Sequence, residues 1–500
     1  MATEKVKVGE IRPSQLLYSF GVGSIIDLPY LSTMVLGLDE WDRVHMKPIT
    51  EERLLRAVQD RRGFGLVEQL LAPPTPRENV TYATGPFDPN KVIGVPVRSF
   101  PRWLRCPLCN RLAPITANGL FRLDDDPIHP DRNKYVHHNC NKAKGRPPAA
   151  LPARFLVACE HGHMDDFPWV EFVHKGPTDC QPRLSLIEFG ASGTVSHILV
   201  RCDSCTDKRR SMAEAFDEDI SEPAFRCKGR HPHLRRDEPC DQITKPILMG
   251  ASNAWFSIIL SLLYVPTKVD KLDQLVADKW DILKEVDNID NLRPLRKLNL
   301  LHTLEEYSDQ QILEAVSKKK NGTAGDDDGS DPSDLKRPEW EAISSGDTSL
   351  SSTDFQIKVV KPPVGYEQLI EKVVLLERLR EVMALVGFTR IESPGELGIG
   401  GELPEENLAP LARRDPEWVP ACEVRGEGIF IQFREQELMT WCSGPEVSDR
   451  NAQLFEAHQR WRAARHIEPA HAGYPGMRFV VLHSFAHALM RQLCLECGYS

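Results

Sequence analysis

Cys106-Pro107-Leu108-Cys109, answered later by Cys202-Asp203-Ser204-Cys205, is the stretch whose reading decides this chain. The region from Cys106 to Cys240 holds nine of the thirteen cysteines. A CxxC turn points two thiolates at one cation from adjacent backbone positions, which is half of a tetrahedral zinc site. Each pair then needs two more ligands. For the second pair the spacing offers Cys227, after 21 intervening residues, and Cys240, after another 12. A fourth thiolate completes an all-sulfur site, with His231 and His233 of CKGRHPH competing for the last place.

For Cys106 and Cys109 the third ligand is Cys140. The fourth is His137, in the HHNC turn, with Cys159 of ACEHGHMDD as its rival. Reduced cysteines can simply be small buried hydrophobes, but polar and basic flanks fit that poorly. Disulfides are disfavoured, because the charged start MATEKVKVGEIRPSQ is no secretory signal. Two Zn2+ ions per chain are the expectation.

Outward from this region, 500 residues suggest several parts and ample length for a core. A hydrophobic content of 41% and a charged content of 27% describe an ordinary globular protein. The apolar run from Ala254 to Val265 is broken by Ser257 and Ser261 and is too short to span a bilayer. A cytoplasmic protein without membrane partners is expected. With 62 basic against 72 acidic residues, the net charge of -10 argues against coating nucleic acid by charge alone. Local basic clusters remain: Arg102, Arg105 and Arg111 at the first module, and Lys208, Arg209, Arg210, Lys228, Arg230, Arg235 and Arg236 at the second. Of these, Lys208, Arg209, Arg210, Arg235 and Arg236 are the candidates for phosphate contact.

Residues 1–100 read as a mixed α/β region, with a short helix near Ser14–Leu17 and an amphipathic helix over 51–61 presenting Leu54, Leu55 and Val58. Gly21-Val22-Gly23 lacks the rest of a nucleotide loop and reads as a plain turn. Residues 101–245 form the zinc-module region. Within it, HGHMDD sets His161, His163, Asp165 and Asp166 close to the HxHxDH of metallo-β-lactamase-type hydrolases, but without the last histidine. A polar cap on a structural turn is the blander reading.

Residues 246–317 are mainly helical, after a buried strand or helix at 250–266; residues 318–336 include KKKNGTAGDDDGSDPS and read as a disordered linker. Residues 337–500 read as a C-terminal domain. A helix from Tyr366 through Leu369, Ile370, Val373, Leu376, Leu379 and Met383, stopped at Gly387, is predicted there, followed by a turn and a strand over Ile429–Phe433. A helix over 455–466 presents Arg460, Arg462, Arg465 and His466 on a basic face. The last helix carries His483, His487, Cys494 and Cys497. Because Ser484 occupies the position of a metalloprotease glutamate, core histidines and buried thiols are expected. The fold class is α+β, a multi-part mosaic of zinc-ribbon-like modules with a helical C-terminal part.

Seven runs resemble the DrmB family, a component of the bacterial DISARM anti-phage system with a helicase-associated, MrfA-like zinc-binding domain. They are RPSQLLYSFGVGSIIDLP, FPRWLRCPLC, PARFLVACEHGHMDDFPW, GASNAWF, VVLLERLREVMALVGFTRI, EVRGEGIFI and VVLHSFAHALMRQLCLECGYS, spread over nearly the whole length. The resemblance implies a cysteine frame at Cys106, Cys109 and Cys140 and another ending at Cys240. It also implies further cysteine-bearing sequence past Ser500, so a truncated end is expected. It implies a superfamily 2 DNA helicase as partner and DNA, single-stranded or a duplex end, as ligand. No GxxxxGK[ST] occurs, so a non-enzymatic zinc-binding partner of a helicase is expected. The alternative is a metal-dependent hydrolase or nuclease at HGHMDD.

Overall fold

The computed structural model describes residues 11–76, 93–117, 119–126, 129–189, 194–206, 208–217, 223–266, 272–273, 275–276, 278–321, 334–394, 405–464 and 468–498. Helix and sheet are mixed throughout, as α+β requires. Residues 322–333 and 465–467, on which part of the linker reading and Arg465 and His466 fall, lie outside the described set.

Two long antiparallel strands, Ile370–Thr389 and Trp418–Phe433, form the centre of a six-stranded sheet. Phe355–Val360 pairs with the first half of Ile370–Thr389, and Phe256–Leu263 with the second. Gln69–Leu71 adds in parallel beside Trp418–Pro420, and Pro48–Ile49 follows it. Segments far apart in sequence therefore share one sheet.

The helix predicted from Tyr366 is this central strand. Apolar residues spaced for a helical face also suit a strand covered on both sides, and every residue from Val382 to Arg390 is buried. Val373, Val374, Val382 and Val386 are β-branched and favour the pleated conformation. Gly387 is not a helix stop. A Cβ there would lie 2.4 Å from Leu408 Cδ1, so the glycine admits a crossing chain. The turn predicted before Ile429 is likewise absent, because Trp418–Phe433 is continuous.

Two short helices cover this sheet. Pro13–Tyr18 buries Leu16 and Leu17, and Glu52–Gln59 buries Leu54 and Val58 against Val382, Leu385 and Phe388. Gly23 adopts φ +80°, and a Cβ there would meet the Phe388 ring at 2.5 Å, so the GxG is a packed turn. The helices Trp280–Leu283, Ile289–Lys297 and Asp309–Asn321 bury Leu283, Leu292, Ile312 and Val316 in a core of their own.

A second six-stranded sheet, wholly antiparallel, carries the cysteine region. Its order is Leu151–Pro152, Trp103–Arg105, Arg111–Pro114, Leu184–Glu188, Ile198–Cys202 and Arg209–Ser211. Beside it, Phe155–Ala158 pairs with both Met164–Asp166 and Lys245–Leu248. Phe155, Phe167, Trp169, Phe172 and Phe225 fill the space between them.

The C-terminal part ends in helices Glu435–Cys442, Pro445–Ala464 and Gly476–Cys497. No residue of the last one is buried. The expected core histidines and buried thiols are instead exposed: His483, His487, Cys494 and Cys497 all face solvent. Apolar residues lie all around this helix, so composition suggested burial where the described neighbours cover only part of it. Among the described residues, no helix is long and apolar enough to cross a membrane.

Candidate metal centres

Three groups of four ligand side chains converge in the cysteine region. The first consists of Cys106, Cys109, His137 and Cys140. A tight turn joins Trp103–Arg105 to Arg111–Pro114, with Cys106 N–H donating to Arg111 O at 2.9 Å and Asn110 in the left-handed region at φ 61°. Both thiols of the CxxC thus point the same way. His137 ends the strand Lys134–His137, and Cys140 follows in the next turn. The Sγ atoms of Cys106 and Cys140 are 3.8 Å apart, and Cys109 Sγ lies 3.4 Å from His137 Nδ1. His137 is the group's histidine, while Cys159 lies elsewhere.

The second group is His174, Cys180, Cys202 and Cys205. Cys180 Sγ is 3.9 Å from Cys202 Sγ and 3.3 Å from Cys205 Sγ, and His174 Nε2 is 3.6 Å from Cys205 Sγ. The structure therefore corrects the expected completion of the Cys202–Cys205 pair by Cys227 and Cys240. The helix Trp169–His174 brings a histidine back over this pair, and His174 Nδ1 donates to Val170 O at 2.7 Å, which aims Nε2 at the thiols.

Cys227 and Cys240 instead join Cys159 and His163 in a third group. Pairing of Lys245–Leu248 with Phe155–Ala158 carries the incoming chain to the Cys159–His163 turn. Cys227 Sγ is 3.6 Å from Cys159 Sγ, and Cys159 Sγ is 3.3 Å from His163 Nδ1. Gly162 takes φ +75° in this turn, where a Cβ would strike Ala409 Cβ at 2.6 Å. Gly229 N–H donates to Cys227 Sγ at 3.3 Å.

These separations suit a tetrahedral cation. With metal–sulfur bonds of about 2.3 Å and metal–nitrogen bonds of about 2.0–2.1 Å, the edges of the tetrahedron are about 3.8 Å between sulfurs and about 3.6 Å from sulfur to nitrogen. All three groups lie near those values, and all nine cysteines involved are free of disulfides. The electrostatics agree. Hydrogen bonding from Cys227, then from His163, outweighs burial and lowers the Cys159 thiol to about 4, while the Cys109 thiol is pushed up by burial and then by Cys106, and the Cys180 thiol by Cys205 and then by burial. Crowded thiols of this kind share charge badly without a cation. The residues present can hold a metal ion and are consistent with zinc.

Glu238 supports the third group from outside. Its Oε1 accepts from His163 Nε2 at 3.0 Å and from His231 Nε2 at 3.1 Å. The first bond fixes the tautomer that frees His163 Nδ1 for a cation. Burial opposes charge on His163, but Cys159 and Glu238 together raise its pKa. His231, fully inside, is lowered to about 4 by burial and then by the His163 charge. His233 donates to Pro410 O at 2.9 Å and does not reach a thiol group. Below them Arg390, 1% exposed, donates to Gly162 O, Ala254 O and Gly23 O at 3.1, 2.5 and 2.8 Å. The central sheet is thereby pinned to the third group's turn.

The residues of HGHMDD are divided between two settings. His163 belongs to the third group, and His161 Nδ1 lies 3.9 Å from Cys240 Sγ. Asp166 binds Arg102 Nε at 2.7 Å, and Asp165 binds Arg102 Nη2 and Arg230 Nη1, both at 3.0 Å. These carboxylates are spent on ion pairs.

Several basic candidates are also committed to carboxylates. Arg210 is buried, bonded to Glu214 at 2.8 Å and to Phe172 O at 3.1 Å. Arg235 pairs with Glu40 at 3.7 Å, and Arg236 with Glu238 at 3.3 Å. Arg105 pairs with Glu188 at 2.7 Å and Lys228 with Glu171 at 3.5 Å. Lys208 and Arg209 are exposed at the edge strand Arg209–Ser211.

Cys180 and His174 were missed by the sequence reading. The signal was arithmetic: nine cysteines do not fit two four-ligand sites, and the ninth, Cys180, lies shortly after His174.

All three groups fall inside the part of the chain, residues 12–256, that matches a family model described as a domain of unknown function, DUF8724. Among curated proteins, the chain is 28% identical over 362 residues to "DISARM protein DrmB" of Bacillus paralicheniformis. Over that length the chain is similar to DrmB. The match covers 70% of this chain and 63% of that relative's length.

Proposed function

We propose that this chain is a non-enzymatic, zinc-stabilised component of a DISARM-type anti-phage assembly, acting beside a superfamily 2 DNA helicase and contributing to DNA binding. The likeness to a protein named for DISARM carries the defence role. The geometry supports a structural use of metal. Each group offers four protein donors, and a closed tetrahedron leaves no position for substrate or activated water. Zinc is the ion that three Cys3His sets suit best, and nine unpaired thiols belong in a reducing compartment such as the cytoplasm. ATP hydrolysis is left to the helicase.

Co-expression of the tagged chain with a DISARM helicase tests the reading. A stable complex that binds DNA more tightly than the helicase alone is expected. Failure of the two to co-purify, or metal-dependent DNA cleavage by the chain that Asp165→Ala abolishes, would overturn it.

A further inference from the structure

The first and second metal groups share a boundary. The strands that carry them, Arg111–Pro114 and Leu184–Glu188, pair through only two positions, Arg111 with Ser185 and Leu112 with Leu184. Past Leu112 the two chains diverge. A cleft of about 660 Å³, open to solvent, occupies the split. One wall is the first module's hairpin, with Trp103, Arg111 and Leu120; the other is the segment from Cys180 to Leu184, including Pro182 and Arg183.

Register explains its charge. Residues opposite one another in an antiparallel pair share a face, as do residues two apart on one strand. Arg111 faces the same side as Ser185. Arg183 stands just before that strand begins, and both guanidinium-bearing residues, Arg111 and Arg183, line the cleft. Asp203, whose charge Arg111 feels, already binds Arg201 at 2.7 Å and accepts from Ser185 Oγ. Neither Arg111 nor Arg183 has a carboxylate within ion-pair distance among the described residues, whereas Arg102 and Arg105 beside them do. Two like charges held together at an open cleft cost free energy until an anion enters between them.

We propose that this cleft takes one strand of nucleic acid, with Arg111 and Arg183 on successive phosphates and the half-buried Trp103 with Leu120 and Pro182 against the bases. The inference rests on the DNA-binding reading above and gives it a place. A small anion would leave most of the volume empty, and an apolar ligand would not need two cations. A single strand supplies phosphates for guanidinium forks and flat apolar faces for an indole. The metal groups set the width: Arg111 stands two residues after Cys109, and Arg183 three after Cys180.

The test is fluorescence anisotropy of the full chain with labelled oligothymidylate of about 16 nucleotides, and with a duplex of the same length, over a salt series. The single strand is expected to bind more tightly than the duplex. Arg111→Gln and Arg183→Gln should each weaken it about tenfold and lower the salt slope by about 0.7 per lost contact. Arg111→Lys and Arg183→Lys should keep the slope, and metal content should be unchanged in all four variants. Unchanged affinity and slope in the double Gln variant would refute the cleft while leaving DNA binding intact. Equal or tighter duplex binding would refute it too, as would equal competition by polyglutamate, which marks a surface for an acidic protein. No binding by the chain or by its helicase complex would refute the DNA-binding reading as well.

Discussion

Regrouping of the cysteines has a consequence that pairwise substitution can read. The Sγ atoms of Cys180 and Cys202 are 3.9 Å apart, and that of Cys227 lies 3.6 Å from Cys159. Ligands of one ion fail together, and ligands of two ions fail independently. With three ions per wild-type chain, Cys180→Ser, Cys202→Ser and Cys227→Ser should each leave two. Cys180→Ser with Cys202→Ser should still leave two, but Cys202→Ser with Cys227→Ser should leave one. The energies make the counts clean. A structural zinc contributes about 10–16 kcal/mol of apparent binding free energy in small peptides, as much as the whole net stability of a domain at about 5–15 kcal/mol. A site stripped of one thiolate therefore loses its ion and orders its module poorly. Native mass spectrometry counts the ions, and His174→Ala gives a milder loss of the second site if serine variants are insoluble. Two ions retained in the Cys202→Ser, Cys227→Ser protein would show that these cysteines share a site after all.

Two further substitutions probe what surrounds the third group. Glu238→Gln keeps an acceptor for His163 and His231 but removes the charge, so chelator competition should show a loss of about 10–100-fold in metal affinity at that group alone; an unaltered competition curve would deny Glu238 its role. Arg390→Met leaves three buried carbonyls unpaired, at about 1–3 kcal/mol each. Relief of a cation whose pKa burial lowers from 12.5 to about 9 offsets about 5 kcal/mol of that, so a net loss of about 1 kcal/mol is expected in urea denaturation, with faster loss of the third metal; a wild-type midpoint with unchanged metal loss would refute it.

How far the chain could be read from sequence follows from the reach of each signal. Cys106, Cys109, His137 and Cys140 are carried by one hairpin and the strand pair beside it, so local spacing was enough to bring them to one list. The other two groups depend on pairings that spacing does not encode. Cys227 reaches Cys159 because Lys245–Leu248 lies along Phe155–Ala158, a contact across almost ninety residues. Cys180 carries no motif at all and is recruited by the return of His174. The central strand shows the same limit. VVLLERLREVMALVGF satisfies a helical period because a strand covered on both faces has nearly continuous apolar residues, and only the partners at Phe256–Leu263 and Trp418–Phe433 decide between them. Charge reads worst of all. Arg210 and Arg236 looked available to DNA in sequence because Glu214 and Glu238, their partners, counted only toward the net charge. Arg183 drew no notice, because its partner in the cleft, Arg111, is brought beside it only by the register of two strands. A cation without an ion pair among the described residues is thus visible only after the described carboxylates have been placed, which is why the cleft arginines, and not the densest basic runs, are the ones to test first.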